Sequence, residues 1–175
     1  VAYRNQKSQV WYAGWADKLP QVLGGANPVA GPYFNFSVPE PSGVAAIVAP
    51  REPALDGLVS RVAPALVGGN AVVALALDDA ALAAVEFAEC VATCDLPGGV
   101  LNILTGSIGD VDPVLASHMD VNTLDVTGAA TEERTELVRA AADNVKRVVH
   151  QHDEQSPWEI AAFLELKTVW HPIGQ

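Results

Sequence analysis

The chain has 175 residues, half of them hydrophobic and 18% charged, a balance that supports a packed core and excludes a disordered tract. Ten basic residues against 21 acidic ones leave a net charge of −11, which repels phosphate backbones and anionic lipid and so argues against nucleic acid or a membrane surface as partner. No apolar run approaches the roughly 18 to 20 residues that span a bilayer, VAYRNQKSQVWY lacks the charged-then-apolar pattern of a signal peptide, and Val1 in place of methionine fits a trimmed start.

The first predicted element is a helix from Gln6 to Leu19 carrying Trp11, Tyr12 and Trp15, broken by the glycines and prolines of GGANPVAGPYFNF. YFNFSV (33–38) alternates aromatic and polar side chains, as a strand with one exposed face does, and a turn follows at Pro39 to Pro41. The pattern then changes. GVAAIVAP (43–50) is a continuous apolar run, expected of a strand covered on both faces, and Leu55, Leu58, Val59, Val62 and Leu66 follow at helical spacing up to Gly68-Gly69. AVVALAL (71–77) is a second buried strand, and Asp78 or Asp79 caps a helix running to about Cys94. Cys90 and Cys94 fall four apart in that helix, which suits two buried thiols better than a disulfide and points to a cytoplasmic compartment.

VLNIL (100–104) is the next strand. Asp112-Pro113 reads as an N-cap followed by a first-turn proline, opening a short helix to about His118. NTLDV (122–126), a helix from Thr131 to about Asn144 with acids at its positive end, and KRVVH (146–150) complete an alternation of strands and helices. Alternation over 43 to 150 predicts an α/β domain with a doubly wound, mostly parallel, Rossmann-like sheet. Ser156-Pro157 opens a further short helix, and LELKTVW (164–170) alternates like an edge strand.

Many of these segments resemble the aldehyde dehydrogenase superfamily. WYAGWADKL (11–19) is similar to that family's YYAGWADK, GPYFNFSVPEPSGV (31–44) to GPYFSYTRHEPVGV, and PALVGGNAVV (64–73) to PALATGNVVV. LPGGVLNILTG (96–106) resembles LPPGVVNIVPG, SHMDVNTLDVTG (117–128) resembles SHEDVDKVAFTG, and FLELKTVW (163–170) resembles the closing strand. The ending KTVWHPIG (167–174) is similar to that of the two-module members of the family 16 type, whose second module lacks the catalytic cysteine. The resemblance implies a layout of an N-terminal helical segment (1–25), a Rossmann-like cofactor-type domain (42–157), and an oligomerisation element made of a β-arm (26–41) and a C-terminal strand (158–175).

The same resemblance implies that the catalytic domain is absent. Lys146-Arg147-Val148 match the start of the family's KRVTLELGGKSP and Ser156-Pro157 its end, after which the chain passes directly into its closing helix and strand. The nucleophile has gone with the domain, the general-base glutamate is matched by Gln151, and the oxyanion-holding asparagine of PWNFP by Glu52 in PREPA (50–54). No catalytic residue is therefore expected. The lysine that holds the adenosine ribose is matched by Leu75 and the pyrophosphate-contacting serine by Ala129. Pro50, Asp78, Thr127 and Gly128 are what remains of a cofactor site, and with two donors lost the expectation is no tight cofactor and at most weak NAD(P) binding.

His150, His152, Asp153 and Glu154 lie where this excision falls. An extended segment offers only alternate residues to one ion, no spaced Cys or His cluster completes a set, and a solvated junction is expected rather than a metal site. The retained arm and closing strand point to function through assembly, with a second copy or a full-length aldehyde dehydrogenase as partner; the bland alternative is that the two strands pair only with each other. A competing reading is an NAD(P)-binding component whose catalytic cysteine comes from another chain.

Overall fold

The two longest apolar runs become the central strands of a parallel sheet. The structure, a computed structural model, describes residues 2–150 and 155–174. β1 (Gly25–Asn27) and β2 (Tyr33–Pro41) follow two helices, α1 (Ala2–Ala13) and α2 (Leu19–Leu23). Then come β3 (Val44–Val48), α3 (Ala54–Val67), β4 (Ala71–Leu77), α4 (Ala81–Ala92), β5 (Leu101–Gly106), α5 (Ile108–Ser117), β6 (Thr123–Asp125), α6 (Thr131–Ala142), β7 (Arg147–Val149), α7 (Pro157–Ala161) and β8 (Leu164–Pro172). A 3-10 turn at Asp78–Ala80 leads from β4 into α4.

The five-stranded sheet has the order β5-β4-β3-β6-β7, with every pair parallel. The expected α/β, Rossmann-like, doubly wound architecture is what forms. α3 and α4 cover one face over a core that includes Ile47, Leu58, Val62 and Ala74, and α5 and α6 cover the other over Val48, Leu75, Leu124 and Leu137. Both faces of β3 and β4 are thus dry, which explains why those strands read as unbroken apolar runs.

A second sheet, order β1-β2-β8, is antiparallel. β2 and β8 pair over the whole length from Tyr33↔Pro172 to Pro41↔Leu164, so the arm and the closing strand do find each other within the chain. Asn70 ties the two sheets together. Its amide donates to the carbonyls of Ala65 and Phe163, both at 3.0 Å, and its oxygen accepts from the Ser42 hydroxyl and the Gly43 N–H, again at 3.0 Å. A buried amide with all these bonds made holds a unique junction between the end of α3, the linker into β3 and the start of β8.

Four expectations are corrected. The first helix ends at Ala13, and a separate short helix begins at Leu19, because the turn through Gly14 to Lys18 follows the hydrogen bonds of successive turns rather than one continuous ladder. β2 runs through Pro39 to Pro41 instead of turning there. α5 starts after Ser107, a full turn before Asp112, and carries Pro113 inside it. Cys90 and Cys94 are exposed, since α4 rests on α3 by a narrow stripe in which only Ala84 is fully covered.

Candidate functional site

In a doubly wound sheet, ligands sit where the strand order reverses, outside the carboxyl ends of the strands. Here the chain adds β4 and β5 on one side of β3 and then crosses back to place β6 on the other, so the reversal lies between β3 and β6. Pro50 follows β3, and Thr127 and Gly128 follow β6. Asp78 follows β4, one strand away, and its side chain is outside what the structure describes. The four residues expected to mark a cofactor site therefore lie at the ends of three neighbouring strands.

Gly128 is packed directly against the backbone of Ala49 and Pro50. Gly128 donates its N–H to the Val48 carbonyl at 2.9 Å, and a Cβ added there would lie 2.2 Å from the Ala49 oxygen and 2.7 Å from the Pro50 nitrogen. Thr127 donates its N–H at 2.9 Å and its hydroxyl at 2.5 Å to Asp125 Oδ1. The Ala129 N–H donates to the Val126 carbonyl at 3.1 Å, and the Ala130 N–H donates to Glu133 Oε2 at 2.9 Å. Every backbone donor from 127 to 130 is thus spent inside the chain. The start of α6 also carries Glu132 and Glu133, whose charges already complement the helix dipole and repel an incoming anion.

Glu52 is exposed in the segment before α3 and Leu75 is fully buried in the core beneath α5. Gln151, His152, Asp153 and Glu154 lie outside the described residues, and His150 is exposed just past β7. Among the described residues no group of three or more His, Cys, Asp or Glu is placed to hold a metal. Between Val149, which ends β7, and Pro157, which opens α7, only residues 150–156 intervene, so no catalytic domain is inserted at that point.

Sequence reasoning missed the strongest electrostatic feature beside this site. Arg61 of α3 is wholly buried; its Nε donates to Asp125 Oδ2 at 2.7 Å and its Nη1 to Glu159 Oε2 at 2.6 Å. Burial works against the guanidinium's charge, but the Asp125 and Glu159 carboxylates outweigh it and hold the Arg61 pKa above its ordinary value. The Phe163 ring lies under it, 5.7 Å from the guanidinium carbon. Both Asp125 oxygens are engaged, Oδ2 by Arg61 and Oδ1 by Thr127. The available signal was a charged residue inside each of two apolar segments, LVSRVAPAL and TLDV. A buried charge requires a partner.

The description "Aldehyde dehydrogenase family" matches residues 6–172. The chain is 31% identical to aldehyde dehydrogenase, cytosolic 1 of Elephantulus edwardii, over 91% of this chain and 31% of that one. It is 34% identical to retinal dehydrogenase 2 of Gallus gallus, over 91% of this chain and 30% of that one. The crystal structure of betaine aldehyde dehydrogenase from Staphylococcus aureus in complex with NAD+ superposes with a TM-score of 0.75 at 25% identity, covering 81% of this chain and 27% of that chain. The chain spans about three-tenths of the length of the curated relatives it matches.

Proposed function

The chain belongs to the aldehyde dehydrogenase family, and from that membership we propose that it is a non-catalytic relative acting through assembly, as a structural or regulatory subunit. The observation that carries this reading is the self-satisfied start of α6: the donors of residues 127–130 serve Asp125, Val48, Val126 and Glu133, leaving none of them for a pyrophosphate. Burial of the polar phosphate without those donors costs more than its contacts return.

The three-stranded sheet supports the assembly half of the proposal. Phe34, Val38 and Val169 stand on one of its faces, Tyr33, Leu166 and Trp170 on the other, and each is between 38% and 60% exposed. The outer edge of β8 pairs with no strand among the described residues. An apolar sheet left wet on two faces, with an unpaired edge, is a surface that proteins cover. A second copy, or a full-length aldehyde dehydrogenase, is the partner this reading names. A cytoplasmic setting belongs to the same reading, carried by the free thiols of Cys90 and Cys94.

Calorimetry with NAD and NADP, run beside light scattering on the same sample, tests both halves. The expected result is no heat of binding at millimolar nucleotide and a mass above that of one chain, or one that rises when an active relative is added. Micromolar binding would instead favour the reading in which this chain supplies the nucleotide and another supplies the cysteine.

A further inference from the structure

β8 is a sheet edge whose backbone is already oriented toward a missing neighbour. At its two ends the Ile173 N–H donates to the Pro32 carbonyl at 2.8 Å and the Phe163 carbonyl accepts from the Ser42 N–H at 3.2 Å. The register with β2 is unbroken between them, so the odd-numbered residues of β8 turn their backbone groups toward β2. Leu166, Thr168 and Trp170 turn theirs outward, where no strand lies among the described residues. These three also share one face, on which the Trp170 ring meets Tyr33 edge to face at 5.9 Å. A single polar row crosses that face. The Asn27 amide donates to the Ser37 hydroxyl at 2.9 Å, which lies 3.0 Å from Thr168 Oγ1, and there the row reaches the edge.

We propose that β8 pairs antiparallel with β8 of a second copy about a two-fold axis at Thr168, joining two three-stranded sheets into one of six strands. The inference rests on the assembly reading above and commits it to one partner and one register. Thr168 is the middle residue of the nine in β8, so this register overlaps the strand over its full length. It sets outward groups against outward groups, with Thr168 opposite itself and Leu166 opposite Trp170 on either side. Sliding one strand by a single residue would set them against groups committed to β2. The side chains complement one another in the same register. Leu166 and Trp170, 59% and 60% exposed, cover each other across the axis and extend the Trp170–Tyr33 pair. The two Thr168 hydroxyls meet on the axis, so the polar row from Asn27 runs on into its own copy. On the opposite face Glu165 of each chain meets His171 of the other, a carboxylate against an imidazole N–H. A lysine usually blunts an edge strand, but Lys167 donates to Glu165 at 2.5 Å and stands opposite Val169 of the second copy.

Light scattering on a dilution series of the full chain, beside cross-linking of cysteine variants, tests this. The expected mass is that of two chains, falling on dilution. Thr168→Pro removes an outward N–H and no bond to β2, so it should keep the circular dichroism of the fold while weakening the dimer by about tenfold or more. In a Cys90→Ser, Cys94→Ser background, mild oxidation should link Thr168→Cys to itself, because residues opposite in a bonded pair lie about 5.5 Å apart at Cα. Trp170→Cys should not link to itself but should link to Leu166→Cys when the two are mixed. The cross-linking pattern decides the register even where Thr168→Pro loses its fold. A dimer that folded Thr168→Pro leaves equally tight, or in which Thr168→Cys does not link, would overturn the proposal and leave the assembly reading to another surface. A chain that stays monomeric at every concentration would overturn it as well, and the assembly reading would then stand or fall on whether an active aldehyde dehydrogenase raises the mass.

Discussion

Val145 adopts φ +58 and is 90% exposed. It closes α6: its N–H donates to the Ala142 carbonyl at 3.2 Å, and the Lys146 N–H donates to the Ala141 carbonyl at 3.1 Å. That pair of bonds is the helix ending in which glycine normally takes the left-handed position. A β-branched residue there crowds the following carbonyl, and its exposed side chain gains no packing in return. Val145→Gly should therefore stabilise the protein by about 1 kcal/mol, read as a rise in melting temperature of roughly 2–4 °C. A lower melting temperature would mean that the Val145 side chain makes contacts that this geometry does not give it. Gly128 is the opposite case, a glycine that is required. Its need for close backbone approach was legible in the motif VTGAA, and the Ala49–Pro50 backbone is what approaches it.

Among elements, the tie between α3, β6 and α7 has the largest stake. Arg61, Asp125 and Glu159 join segments that are 64 and 98 residues apart in sequence, in a region closed to water. Arg61→Met leaves two carboxylates buried without their cation, and should cost about 3–5 kcal/mol of unfolding free energy. Urea unfolding would show this as a lower midpoint with an unchanged slope; a loss below about 1 kcal/mol would mean that the cluster is hydrated after all. Element boundaries were legible wherever periodicity alone sets them. α3, read from Leu55 to Leu66, forms as Ala54–Val67, and β4 forms over the same seven residues that read as a strand. They were misread where a local signal has two meanings. Asp112-Pro113 has the chemistry of a helix start, yet α5 absorbs the proline as an interior residue that forgoes one bond of the ladder. Cys90 and Cys94 follow an apolar period, but α4 is a peripheral helix and the period faces an open groove.

For the molecule as a whole, charge and apolar surface act in opposition. A net charge of −11 opposes the approach of a second copy, while the exposed side chains of β2 and β8 favour it. Raising ionic strength from about 0.01 M to about 1 M shortens the screening length from roughly 30 Å to roughly 3 Å. Self-association should therefore strengthen with salt, seen as a rise in weight-average mass by light scattering at fixed protein concentration. A falling mass would point to charge pairing as the force that joins the chains. The sequence by itself determined the parallel α/β sheet and the family, because buried strands, helix periods and collinear motifs are written in consecutive residues. Only the tertiary structure decided that the β6–α6 turn consumes its own donors, that three distant charges share one buried cluster, and that β2 takes β8 as its neighbour. Each of these depends on residues far apart in the chain meeting in space, where burial sets the cost of leaving any donor or charge unpaired.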